Sequence, residues 1–246
     1  MAQGNEPENL ARRFPTTSWT MISAAGGGDN DSAQALNDLC AAYWSPVYGF
    51  IRRKGHPRDD AEELTQEFFT RILERGGLTA ADRARGKFRS FLLASVSNFL
   101  ANQWDRAIAL KRGAGVPALS LDFPAGEERF NRELSEGLTP EALFERQWAL
   151  TLLARVLNHL REDYDRKGQG ALFAQMQGFL TGDQDRDSYE RLALELKASE
   201  GAARTAVHRL RRRYAELVRE EIAAMVSDPS EVAGEIRYLL DAVGRS

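Results

Sequence analysis

The stretch SYERLALELKASEGAARTAVHRLRRRYAELVR, residues 188–219, decides how this chain is read. Tyr189 to Leu196 predicts one helix, with Leu192, Ala193 and Leu196 on its inward side. Lys197 and Ala198 form a tight turn, and Ser199 ahead of Glu200 suits the cap of a second helix. There Ala203, Val207, Leu210, Tyr214 and Leu217 recur at spacings of 4, 3, 4 and 3 and face a core. Arg204, Thr205, His208, Arg209, Arg211 and Arg212 are left on the solvent side. Two helices on a short turn, the second with an arginine-rich outer face, make a helix-turn-helix arrangement. Such a face can enter a major groove, where arginine bonds phosphates or, end-on, guanine O6 and N7. The competing reading is a solvated basic face on an ordinary amphipathic helix. The turn, the cap, the small inward Ala203 and the one-sided arginines together favour the first.

Outward from this stretch, helical periodicity persists and no alternating strand pattern interrupts it. Ala61, Leu64, Phe68 and Ile72 fall at helical spacing; Phe91, Leu92, Ala94, Val96 and Phe99 form a second set; Leu150, Leu153, Leu157 and Leu160 form a third. The predicted fold is all-α. Helix starts are marked at Ser188, Ser199 and Asp228-Pro229. The 246 residues carry 33 Lys+Arg and 36 Asp+Glu, a net charge of -3, which excludes a uniformly basic nucleic-acid coat. The charge is instead laid out in blocks. Residues 58–67 sum to -4, 85–112 to +5, 113–146 to -4 and 197–219 to +5. The third block contains Gly113, Gly115, Pro117, Pro124, Gly126, Gly137 and Pro140 and reads as an acidic flexible linker between two small helical domains.

Cys40 is the single cysteine, and the three histidines are scattered, so a disulfide scaffold and a Cys/His zinc site are excluded. The polar start and the lack of a long apolar run predict a cytoplasmic chain. Residues 77–88 end in Gly86-Lys87 but have Ala81 and Phe88 where a phosphate-binding loop needs glycine and Ser/Thr. With no assembled catalytic set and no cofactor motif, the expectation is a protein that is not an enzyme.

Two further segments carry recognition chemistry. FRSFLLASVSNFLANQWDRAIALKRG, residues 88–113, interleaves Phe88, Phe91, Phe99 and Trp104 with Arg89, Asn98, Asn102, Gln103, Arg106, Lys111 and Arg112. That mixture suits single-stranded DNA, although helical spacing places Phe91 and Phe99 in a core in preference to a stacking surface and leaves Trp104, among polar neighbours, as the better candidate for exposure. DDAEELTQEFFTRIL, residues 59–73, puts Asp59 and Asp60 at a helix start, where the helix dipole favours negative charge. Capping and solvation account for these carboxylates more simply than acid/base catalysis.

In this order, the segments resemble bacterial RNA polymerase sigma factors of the extracytoplasmic-function (ECF) type, over about Thr17 to Arg219. ALNDLCAAYWSPVYGFIRRKGH (35–56) and the acidic helix look like the start of sigma domain 2, residues 88–113 like its promoter-melting helix, and residues 188–214 like the helix-turn-helix of sigma domain 4. The resemblance implies an N-terminal arm at 1–16, disordered, sigma domain 2 at 17–113, the linker at 114–140, sigma domain 4 at 141–226 and a helical tail at 227–246. It further implies that Asp60, Glu63, Leu64, Gln66, Glu67 and Phe68 dock on core RNA polymerase. Asn98, Asn102, Gln103, Trp104, Arg106, Lys111 and Arg112 would lie at the melted minus-10 element. Arg204, Thr205, His208, Arg209, Arg211 and Arg212 would face the minus-35 duplex. The partners would be core polymerase, promoter DNA and a regulatory protein such as an anti-sigma factor, with no metal, no cofactor and no membrane insertion.

The chain departs from the family pattern in three places. Lys197 stands where many sigma helix-turn-helices have glycine; a left-handed backbone there would cost about 1 kcal/mol. Residues 161–187 are longer than a compact domain 4 has and predict an added helix around Ala171 to Leu180. The tail DPSEVAGEIRYLLDAV (228–243) reads as a short amphipathic helix packing on domain 4, or as a regulatory contact. The alternative to a sigma factor is a free-standing helix-turn-helix regulator.

Overall fold

The computed structural model describes residues 30–74, 87–107, 121–133, 137–180, 186–226 and 228–244. Among them are nine α-helices and no strand: α1 (Asn30–Arg53), α2 (Arg58–Glu74), α3 (Phe88–Ala107), α4 (Phe123–Glu133), α5 (Pro140–Arg166), α6 (Gly170–Met176), α7 (Arg186–Glu195), α8 (Glu200–Met225) and α9 (Val232–Gly244). Short 3-10 turns follow α6 (Gln177–Leu180) and precede α9 (Pro229–Glu231). The added helix expected around Ala171 to Leu180 is therefore present as α6 and its 3-10 turn. The chain divides into two compact units, one of residues up to Thr151 together with Ile222 onward, the other Leu152–Glu221. The N-terminal arm lies outside the described residues.

Aromatic burial builds the first unit. α1 continues through Pro46, which costs a helix interior about 3 kcal/mol, because Tyr43, Val47, Tyr48, Phe50 and Ile51 around it are all buried. α2 contributes Ala61, Phe68, Phe69 and Ile72, and α3 contributes Phe88, Leu92, Val96 and Phe99. Phe68 meets Phe99 with ring centroids 5.6 Å apart, and Tyr43 meets Phe88 at 5.4 Å. Cys40 is buried here, and burial pushes its thiol up to about 12, so it stays protonated and unreactive.

The expected linker is corrected by this unit. Residues 123–133 form a packed helix, with Phe123, Gly126 and Phe130 buried at i, i+3 and i+7. Phe123 lies between Trp44 and Tyr48, at 5.7 and 5.5 Å. A Cβ on Gly126 would stand 2.7 Å from the Trp44 ring, so this glycine permits close helix packing instead of loosening a tether. Pro140, too, opens α5 after Thr139, whose Oγ1 accepts from the Ala142 amide at 3.2 Å. Charge completes the attachment: Glu127 receives Arg52 through two bonds, at 2.8 and 2.9 Å, and also the Tyr48 hydroxyl.

The C-terminal segment, expected as a separate tail packing on domain 4 or making a regulatory contact, falls in this unit. Glu235 of α9, 2 % exposed, pairs with both Lys87 and Arg89 at the start of α3. Arg89 is ion-paired with Glu145 of α5 at 2.9 Å, and its guanidinium carbon lies 4.5 Å from the ring centroids of both Trp148 and Tyr238. Arg89, expected among residues following DNA phosphates, is thus a buried structural cation. In α5 the buried stripe is Phe144, Trp148, Ala149, Leu152, Val156 and Leu160, while Leu150, Leu153 and Leu157 are half-buried. This helix is apolar on two adjoining stripes, and packing selects the one carrying Trp148.

Two outcomes follow for stability. Glu235→Ala removes one of the two carboxylates paired with the buried Arg89 guanidinium, and the partner of Lys87, and should lower stability by about 3 kcal/mol in urea denaturation. The Arg52 guanidinium bonded to Glu127 holds that carboxyl below the usual carboxylate range. Its stabilising effect is present above the unfolded value, about 4.3, and is lost as pH falls through the lower folded value. Glu127→Gln should therefore flatten the loss of urea midpoint across that acidic range.

Candidate nucleic-acid interface

The second unit is organised by a turn. At the end of α7 the Ala198 amide donates to the Ala193 carbonyl at 3.0 Å and the Lys197 amide to the Leu194 carbonyl at 3.1 Å. This pair of bonds is a Schellman motif, which places its C′ residue in the left-handed region. Lys197 occupies that position with φ 50°, the one positive φ at a non-glycine residue among the described residues. The condition set by its departure from glycine is met. Ser199 then caps α8, accepting from the Ala202 amide at 3.2 Å. Ser188, expected as a helix start, lies inside α7, which begins at Arg186.

The two faces of α8 separate as the spacing predicts. Ala203, Val207, Leu210 and Leu217 are buried and Tyr214 is half-buried, its hydroxyl donating to the Leu153 carbonyl at 3.2 Å. Leu192 and Ala193 of α7 and Phe173, Met176 and Phe179 of the added segment are buried in the same unit. Arg204, Thr205, His208, Arg209, Arg211 and Arg212 are all exposed, which brings the six expected duplex-facing residues onto one surface.

These six are not equivalent. Arg204 donates through Nε and Nη2 to Glu200 Oε1, at 2.8 and 2.6 Å, and lies 4.4 Å above the Tyr189 ring centroid. Arg211 Nε donates to the Phe179 carbonyl at 2.9 Å. Arg212 pairs with Glu216 at 3.3 Å, and Thr205 Oγ1 donates to the Gly201 carbonyl at 2.8 Å. His208 and Arg209 have no side-chain partner among the described residues. Tyr189 and Phe179 carry no signal in the sequence, because their contacts with the arginines join separate elements, whereas Glu200 and Arg204 are an i,i+4 pair within α8 that spacing alone marks.

In the first unit the expected sites are only partly assembled. Asp60 and Glu63 of α2 are exposed, and Leu64, Gln66 and Glu67 are half-buried. Phe68 is 2 % exposed, so it supports the helix from within and is not presented to a partner. On α3, Asn98 and Asn102 are exposed one turn apart. Gln103 is turned back, donating to Glu67, which also receives Arg71. The side chains of Trp104 and Arg106, and all of Lys111 and Arg112, lie outside the described residues. No group of His, Cys, Asp and Glu among the described residues could hold a metal ion, and no described helix is long and apolar enough to cross a membrane. No protein-family model matches the chain, and no curated protein or solved structure matches it.

The turn yields a direct expectation. Lys197→Gly should relieve the left-handed strain and raise stability by about 1 kcal/mol, read as a higher urea midpoint with an unchanged helical circular-dichroism spectrum.

Proposed function

We propose that this chain is a bacterial sigma factor of the ECF type, which binds core RNA polymerase, directs it to promoters and helps open the DNA. The observation that carries this reading is α7–turn–α8: a Schellman turn and a capped second helix that buries Ala203, Val207 and Leu210 and exposes six polar and basic side chains. A helix about 10–12 Å across fits a major groove about 12 Å wide. In this reading α8 faces the minus-35 duplex, α3 carries Asn98 and Asn102 beside the melted minus-10 element, and the acidic face of α2 docks on polymerase. Nucleotide addition belongs to the polymerase. The near-neutral total charge supports the same division of labour, since weak electrostatic attraction leaves promoter binding dependent on the larger assembly.

The test is reconstituted transcription with core polymerase. Arg209→Ala removes an unpartnered exposed guanidinium, free to follow a phosphate, and should lower promoter-specific transcription to a similar extent on every promoter sequence, with the salt slope reduced by about 1. It should leave co-elution with core polymerase intact. Glu63→Lys should show the reverse, losing co-elution on gel filtration. Glu63 is the cleaner probe than Glu67, because Glu67 also holds Arg71 and Gln103. Tight, dimeric duplex binding with no response to polymerase would replace this reading with a free-standing regulator.

A further inference from the structure

The unequal treatment of the arginines on α8 points to a layer of the site beneath the exposed surface. Phe179, in the 3-10 turn after α6, is 7 % exposed, and its ring lies 4.9 Å from that of Tyr189 on α7. Tyr189 in turn carries the Arg204 guanidinium at 4.4 Å. Phe179 acts a second time through its backbone, whose carbonyl accepts from Arg211 Nε at 2.9 Å. One residue of the added segment thereby supports two arginines of α8, one through a stacked ring and one directly.

The chemistry of each support leaves a particular edge free. Glu200 takes the Nε and Nη2 edge of Arg204, so both Nη1 protons and the second Nη2 proton remain unused by it. Arg211 is held by Nε alone. In both side chains the end-on pair of amino groups, which matches guanine O6 and N7 or two phosphate oxygens, is the edge left over. Arg209, between them, has no partner among the described residues and is free to follow a phosphate. Arg204 and Arg211 are separated by two turns, about 10 Å along the helix or roughly three base-pair steps. A guanidinium already held on a ring and a carboxylate loses less rotamer freedom on binding than a free one, and it discriminates geometry more sharply.

We infer that Phe179 and Tyr189 are positioning residues that set base preference at two promoter positions, through Arg204 and Arg211, without touching DNA themselves. This rests on the duplex-reading role proposed for α8. Conversion of Tyr189 to a non-aromatic residue removes the cation–π support but none of the DNA-facing groups. Phenylalanine at the same place retains it.

The experiment selects preferred sequences from randomised duplexes with the full chain and core polymerase. The variants compared are Arg204→Ala, Arg211→Ala, Tyr189→Phe, Tyr189→Leu and Phe179→Leu. Tyr189→Leu should relax preference by about two- to five-fold, the loss of one exposed cation–π contact, at the same base position that Arg204→Ala relaxes. The salt dependence of binding should not change, because no phosphate contact is lost. Tyr189→Phe should select the wild-type sequence, and Phe179→Leu should relax the Arg204 and Arg211 positions together. Should Tyr189→Leu fail to fold, Glu200→Gln at its surface position loosens the same guanidinium and should relax the same base. Intact preference in these variants beside a relaxed Arg204→Ala overturns the positioning role and leaves duplex reading standing. A uniform loss of affinity over all sequences also overturns it. If Arg204→Ala and Arg211→Ala both leave selection unchanged, duplex reading fails and the positioning role falls with it.

Discussion

A buried guanidinium holds the first unit together. Arg89 stands between the rings of Trp148 and Tyr238 and is paired with Glu145 and Glu235, so a single side chain of α3 ties down α5 and α9. Removing such a charge from water costs several kcal/mol, and only a surround of opposite charge and polarisable ring faces makes the position tenable. The neighbours show the strain of that arrangement: burial pushes the Glu145 carboxyl up, and burial with the nearby Arg89 charge pushes the Lys87 ammonium down. Every group in the cluster depends on the others being present. The start of α3, which carries Asn98 and Asn102 further along, is set by this cluster.

The second unit relies on a local device. Its Schellman turn forces one residue into the left-handed region, and the capped helix that follows must start where Ser199 can reach the Ala202 amide. The direction of α8 relative to α7 is set by these few bonds, with Ala203 buried in the first turn of α8. The exposed surface of α8 then divides into arginines held by Glu200, Tyr189 and Phe179 and side chains left free. In a site that reads DNA, the first kind suits base edges, where geometry decides, and the second suits phosphates, where charge decides.

Much of this is legible in the sequence. The 4, 3, 4, 3 spacing of Ala203 to Leu217 placed six side chains on the solvent face of α8, and all six are exposed there. The glycine that the family resemblance implies at Lys197 raised the left-handed turn as a condition, which φ 50° meets, and the length of residues 161–187 flagged α6. The linker expected over 114–140 fails at residues 123–133, which form a packed helix, because Gly and Pro count as linker punctuation only when nothing packs on them. Gly126 is glycine because Trp44, eighty-two positions earlier, presses against it. Arg89 was misread for the same reason: a basic residue among aromatics looks alike whether the aromatics surround it or bind a nucleotide. Gln103 and Glu67, assigned to different partners, bond to one another across 36 residues.

The sequence by itself determined what depends on neighbours within a turn or two: helical periodicity, the Ser199 cap, the tight turn and the polarity of the α8 faces. Those follow from backbone geometry and from spacings of three and four residues. Only the tertiary structure decided which charges are buried and which stripe of α5 faces inward. It alone joined the C-terminal helix to the first unit and stacked Tyr189 beneath Arg204. Burial is a property of whatever chain lies opposite, and for Lys87 and Glu235 that chain is 148 residues away.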